Sequence, residues 1–240
     1  MTIRSLFAAA ALALSAPVLA QPATLIGALE RLAATGNAEA LYHLGMSYQT
    51  GSGVAVDHGR ALGYFRRAAA LGDPLAHYKL GCFYDGQDGV VPVDAAKALS
   101  EKLVAAEAGY ALAQQDVAVH YARSGDLALA ERWIVKAAAQ GWPDAMLAYA
   151  ALRSGKLGLP RDGAVSVAYL TLALRQAPAA DPLRAELAKQ RTALTRPDRV
   201  SVDRIVATYR ATPTALTLSA LSGQRAAQAL IDRQGKGRPD

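Results

Sequence analysis

The sequence predicts an all-α protein built from stacked helix pairs, and three observations carry that reading. The chain is self-similar at a spacing of about 36 residues. Within each copy the apolar residues recur at helical intervals. Glycines and aspartates punctuate the copies at fixed offsets, where helices stop and start. A period of this size marks supersecondary units that each bury one face only against a neighbour.

The first segment stands apart from the array. Residues 1–20, MTIRSLFAAAALALSAPVLA, carry one positive charge at Arg4, an apolar run from Leu6 to about Ala16, and small residues at Val18 and Ala20 before Gln21. That is the pattern of a cleavable secretory signal. A membrane anchor is the competing reading, but the run is short of the roughly 20 apolar residues that span a bilayer, and Pro17 interrupts it. The expectation is a periplasmic or secreted chain with no stable membrane insertion after cleavage. With 26 basic and 20 acidic residues the net charge is +6, and losing Arg4 leaves +6 − 1 = +5. The basic residues are dispersed singly or in pairs such as Arg66–Arg67, so no nucleic-acid groove is expected. Cys82 is the single cysteine, unable to form an internal disulfide, and reads as a small core hydrophobe.

Residues 22–37, with LERLAATGN from Leu29, look like the second half of a copy whose first half is missing and read as an N-terminal cap. Repeat 1 (38–74) and repeat 2 (75–110) match closely. Tyr42, Leu44, Gly45 and Tyr48 recur as Tyr78, Leu80, Gly81 and Tyr84; after one inserted residue, Asp57, Arg60, Ala61, Ala68, Ala69 and Gly72 recur as Asp94, Lys97, Ala98, Ala105, Ala106 and Gly109. Repeat 3 (111–142) has a shorter central loop and replaces the Leu-Gly pair by Val117 and Ala118. Repeat 4 (143–176) keeps GLPRD at 158–162 and the apolar run AYLTLAL from Ala168.

Within a copy, Leu41, Leu44 and Tyr48 lie on one face of a first helix. Asp57, Asp94, Asp126 and Asp162 share one offset, which predicts that each caps the start of the second helix. Leu62, Phe65, Ala68 and Ala69 form the inner face of that helix, and Gly72 closes it in a left-handed conformation. Gly45 in the middle of a helix costs about 1 kcal/mol relative to alanine. It is therefore expected where the first helix crosses the second and the backbones approach, with Ala118 and Ala150 as the next smallest choice in the weaker copies. Residues 177–234 read as closing helices. Pro197 and Asp198 restart a helix after Thr195, and an amphipathic segment from about Pro213 to Gln234 is placed over the last repeat. Residues 235–240 read as a flexible tail.

These residues resemble the Sel-one-like repeat, a relative of the tetratricopeptide repeat with a longer loop between its helices. The pattern A-x-x-Y-x-L-G-x-x-Y-x-x-G-x-G-V-x-x-D with its closing A-A-x-x-G is nearly complete in residues 39–72. The resemblance implies a right-handed α-solenoid of antiparallel helix pairs whose first helices line a concave surface. It also implies an adaptor or scaffold that binds a polypeptide, needs no cofactor and performs no chemistry, its partner being another envelope or secreted protein. The strip expected to face that groove is Glu39, Tyr42, Met46 and Gln49 from the first copy; Leu75, Tyr78, Cys82 and Asp85 from the second; Leu112, Gln115, Val119 and Arg123 from the third. Tyr42 and Tyr78 carry a second reading as contacts between adjacent repeats. Trp133 reads as core and Trp142 as a turn residue that is partly exposed.

No catalytic residue and no metal ligand is expected. His43, His58, His77 and His120 sit at four different offsets in the repeat and none belongs to an H-E-x-x-H sequence. Ser52 in TGSGV lacks the setting of a nucleophile elbow, and DGQDG at Asp85 lacks the spacing of a calcium loop. Two other function classes stay open. One is a protein that binds or hydrolyses cell-wall material or β-lactams, since disulfide-rich relatives are connected with β-lactam binding, although their paired cysteines are missing here. The other is electrostatic attachment to an anionic surface.

Overall fold

Thirteen α-helices and one 3-10 turn make up the described residues, and the helices follow the order that the repeats impose. The computed structural model describes residues 24–176 and 181–236; the signal segment and residues 237–240 of the expected tail lie outside them. The cap is α1 (Leu25–Ala34). The four repeats are the pairs α2 (Ala38–Thr50) with α3 (His58–Ala70), α4 (Pro74–Tyr84) with α5 (Ala95–Glu107), α6 (Ala111–Arg123) with α7 (Leu127–Ala139), and α8 (Pro143–Arg153) with α9 (Gly163–Gln176). A 3-10 turn at Gln87–Gly89 sits in the second loop. Beyond the repeats come α10 (Asp181–Thr192), α11 (Arg196–Thr208), α12 (Ala215–Ser222) and α13 (Gln224–Lys236). Each helix packs on the next through the four pairs, giving an α-solenoid.

The caps explain why one geometry recurs. Asp57, Asp94, Asp126 and Asp162 each accept a backbone N–H three residues on, from Arg60, Lys97, Leu129 and Val165, at 2.8–3.0 Å. Three of these residues also close the preceding loop: the amides of Asp57, Asp94 and Asp162 donate to the carbonyls of Tyr48, Tyr84 and Arg153. Between pairs, Gly72, Gly109 and Gly141 take φ near +90° (85°, 95° and 90°). The next amide then reaches back to a carbonyl of the last helical turn, from Asp73 to Ala68, Tyr110 to Ala105 and Trp142 to Ala137. Thr195 and Asp198 form a capping box that starts α11.

The inner faces of the second helices are small and buried. Ala61, Ala98 and Ala130 occupy one position of the repeat, and Ser166 takes it in the fourth copy with its hydroxyl satisfied by the Ala150 carbonyl at 2.8 Å. Gly45 is tight as expected, but against a side chain: an added Cβ would lie 2.6 Å from the Phe65 ring. Gly81 is the position that meets backbone, its added Cβ falling 2.9 Å from the Ala98 carbonyl oxygen and 2.5 Å from Cγ of Lys102.

The C-terminal segment corrects an expectation. α10 and α11 pack on α9 and close the last repeat, whereas α12 and α13 lie against α1 and α2 at the opposite end. Ala227 and Leu230 of α13 are buried in the same cluster as Leu29, Leu41, Tyr42 and Leu44. The chain reaches that end along the turns between repeats. Tyr209 donates to the Ala138 carbonyl at 2.7 Å, Thr212 N–H to Ala139 at 2.9 Å, and Thr214 to Gly109 at 3.0 Å. The buried Thr217 hydroxyl accepts the Ala111 amide and donates to Gln140 at 2.7 Å. The unpaired polar groups at the ends of α5 and α7, and at the start of α6, thus guide a returning strap, which sequence periodicity does not encode. α13 runs through Lys236, so residues 235–236 continue the helix.

Candidate functional site

The first helices α2, α4 and α6 present the expected strip, and its two ends meet different surroundings. At repeat 1 the C-terminal hairpin covers it. Glu39 is ion-paired with Arg233 of α13 at 3.1 Å. Tyr42 is buried beneath α12 and α13, and burial pushes its hydroxyl pKa up. Met46 is half-buried and, with Tyr42, His43, Ser219 and Gln224, lines a cavity of about 330 Å³ between α2 and the hairpin. His43 is buried there with no hydrogen bond to its Nε2, which lies 3.8 Å from Glu39 Oε1; burial, and then the charge of Arg233, lower its pKa to about 4. Gln49 is also buried and donates to Asp88 at 2.7 Å.

The strip is open between repeats 2 and 3, where the structure gathers several of the expected residues around one that the sequence reading passed over. Lys102 Nζ on α5 donates to Asp85 Oδ2 at 2.5 Å and to Asp116 Oδ2 at 2.6 Å. Its side chain is 12% exposed, Asp116 is 26% exposed and Asp85 48%. Burial alone would lower the pKa of this ammonium; the hydrogen bonds it donates to Asp116 and Asp85 outweigh it and the net shift is upward. Tyr78 packs edge-on against Tyr110 with ring centres 5.0 Å apart and donates to Asp116 at 3.4 Å. Cys82 is half-buried beside Tyr78, and burial raises its thiol pKa. A cavity of about 200 Å³ opens here, with Asp85, Lys102, Asp116, Val119, His120 and Arg123 in its wall. Leu75 is buried, and Leu112 and Gln115 are half-buried on the same helices, with Gln115 Oε1 unpaired among the described residues.

Lys102 had a readable signal. It stands eight residues after the capping Asp94, and the same place in the other copies holds Phe65, Ile134 and Leu170, all buried. The signature glycine opposite is what admits it: without a side chain at Gly81, the aliphatic stem of Lys102 passes the α4 backbone and delivers its ammonium to Asp85 and Asp116. Trp133 is half-buried under Lys136, whose ammonium lies 4.1 Å from the ring centre, and Trp142 is half-buried at the start of α8 with its Nε1 unpaired. Among the described residues no group of three or more His, Cys, Asp or Glu is placed to hold a metal ion, and no helix is long and apolar enough to cross a membrane.

A family model described as "Sel1 repeat" matches residues 38–73, 74–100, 106–142 and 143–178. No curated protein sequence matches the chain. Among solved structures it is similar to a protective antigen of uropathogenic Escherichia coli strains displaying an SLR fold, with 21% identity over 88% of this chain and a TM-score of 0.60; the chain spans 43% of that protein's length. It is also similar to a Sel1 repeat protein from Oxalobacter formigenes, with 32% identity over 50% of this chain and 93% of that one and a TM-score of 0.46.

Proposed function

Because the chain belongs to the Sel1 repeat family, we propose that it is an exported, non-catalytic scaffold that grips a polypeptide segment on the inner face of its first helices. The observation that carries this reading is that the face already holds one helix pair: α12 and α13 lay Leu216, Ala220, Ala227 and Leu230 against the cluster containing Tyr42 and Leu44. A surface that buries a helix in this way has the chemistry of helix-in-groove recognition. The part of the strip at Tyr78, Cys82, Asp85, Val119 and Arg123 is left for a partner in trans. The signal-like residues 1–20 support export to the periplasm or the exterior, and an envelope or secreted protein as that partner. No cofactor takes part in such binding.

The test is site-specific photo-crosslinking in the mature chain within its native envelope. A photoreactive residue in place of Val119, on the open strip, is expected to give one discrete polypeptide adduct. The same residue in place of Arg66, on the exposed side of α3, is expected to give none. Equal adducts from both positions, or none from position 119, overturn the proposal.

A further inference from the structure

The C-terminal hairpin does not close flush on repeat 1. It leaves the cavity of about 330 Å³ between α2 and α12–α13, with Leu25, Met46, Ala220 and Ala227 as the apolar residues of its wall. No residue of the wall is charged at neutral pH, since His43 protonates only near pH 4. A space of this volume would hold about ten waters, each needing two to four polar partners. The apolar part of the wall offers none, so water is a poor filling.

Most polar side chains of the wall are already engaged. Ser47 and Thr50 donate to the His43 and Met46 carbonyls of their own helix at 2.9 Å each, and Gln224 donates to the Ser52 hydroxyl. His43 is the exception that is also enclosed. It is 6% exposed, and neither of its ring nitrogens makes a hydrogen bond among the described residues. Glu39 Oε1 lies 3.8 Å from Nε2, beyond hydrogen-bond reach, and accepts from Arg233 instead. A neutral imidazole carries one donor and one acceptor, and a buried polar group normally has a partner. The partner that suits this wall is uncharged, because an ion taken from water into it would meet no opposite charge.

We propose that this cavity binds a small uncharged molecule with an aliphatic body and a hydroxyl group, the hydroxyl hydrogen-bonded to the His43 imidazole and the body packed against Leu25, Met46, Ala220 and Ala227. The Met46 thioether, unbranched and polarisable, adapts to bodies of different shape. The wall comes from α1, α2, α12 and α13 together, so an occupant bridges the first repeat to the last two helices and favours the closed hairpin by linkage. The site is separate from the open strip at repeats 2 and 3 and stands or falls independently of the polypeptide bound there.

Titration of the isotope-labelled mature chain with hexanol, followed by NMR, tests it. Hexanoate and hexylammonium serve as charged probes on similar aliphatic stems. The expected result with hexanol is a saturable shift of the Met46, Ala220 and Ala227 amides together with the ring nitrogens of His43, and binding of both charged probes weaker by about fivefold or more. His43→Leu, measured where circular dichroism shows the fold retained, is expected to weaken hexanol binding by about fivefold, the loss of one hydrogen bond. Ala220→Leu keeps the imidazole but fills the cavity from the hairpin side, and is expected to abolish binding. The shift of the His43 ring nitrogens in the parent chain reads the same hydrogen bond without any variant. No saturable shift with hexanol, equal binding of either charged probe, His43 ring nitrogens unmoved at saturation, or unchanged affinity in a folded His43→Leu or Ala220→Leu chain overturns the assignment.

Discussion

At the scale of single residues, the repeat glycines are spacers with different neighbours, and the consequences differ in sign. Gly81 faces backbone as well as the Lys102 stem, so Gly81→Ala is expected to destabilise by about 1–3 kcal/mol through overpacking. Gly63 lies on the exposed side of α3 with nothing within 4 Å of an added Cβ. Gly63→Ala is therefore expected to stabilise by up to about 1 kcal/mol from helix propensity. Thermal unfolding of the two variants side by side checks the pair, and movement of both in one direction contradicts it. His43 gives a pH dependence. An unfolded chain protonates this histidine near pH 6.5, the folded chain only near 4, since burial and then Arg233 oppose the charge. The unfolded state thus binds more protons between those values, and the stability that neutral His43 contributes is complete above about pH 6.5 and lost as pH falls towards 4. Each unit of that difference is worth about 1.4 kcal/mol. His43→Gln is expected to flatten the fall in melting temperature between pH 7 and 4.5; an unchanged fall places the acid sensitivity elsewhere.

At the scale of elements, most of the array was legible because its signals are local. The four capping aspartates, the left-handed glycines after each pair and the Thr195–Asp198 box are properties of a few consecutive residues, and the structure repeats them as the spacing requires. The destination of the last two helices was not legible. Pro213 to Gln234 reads as amphipathic, but which end of the array its apolar side covers depends on hydrogen bonds more than 70 residues apart, from Tyr209, Thr212, Thr214 and Thr217 to the ends of α5 and α7. Lys102 went unnoticed for the opposite reason. Its departure from Phe65, Ile134 and Leu170 is visible in the repeat register, while its meaning depends on Asp85 and Asp116 arriving from two other helices. The strap makes an element-level test. Thr217→Val keeps the side-chain shape and removes the acceptor for the Ala111 amide and a donor to Gln140, at an expected cost of about 1–3 kcal/mol. Urea denaturation measures it, and a midpoint equal to that of the parent chain removes the strap from the stabilising contacts.

At the scale of the whole molecule, the returning hairpin changes what kind of object the solenoid is. An open array touches only nearest neighbours and unfolds in parts. Here α13 is buried against α1 and α2, so contacts link the last helix to the first. Trp133 and Trp142 report on repeats 3 and 4 alone, whereas circular dichroism reports on every helix. In urea the two signals are expected to coincide for the mature chain and to separate once residues 211–240 are deleted, the helical signal falling first. Coincident curves in the truncated chain contradict the linkage.

The same hairpin delimits the proposed binding face, since it occupies repeat 1 and leaves the cavity around Lys102 open. The most direct test of that central claim is the photo-crosslinking comparison of position 119 with position 66 in the mature chain. A single polypeptide joined at position 119, and nothing joined at position 66, is the expected result. Adducts spread equally over both faces contradict a scaffold that binds through its inner strip.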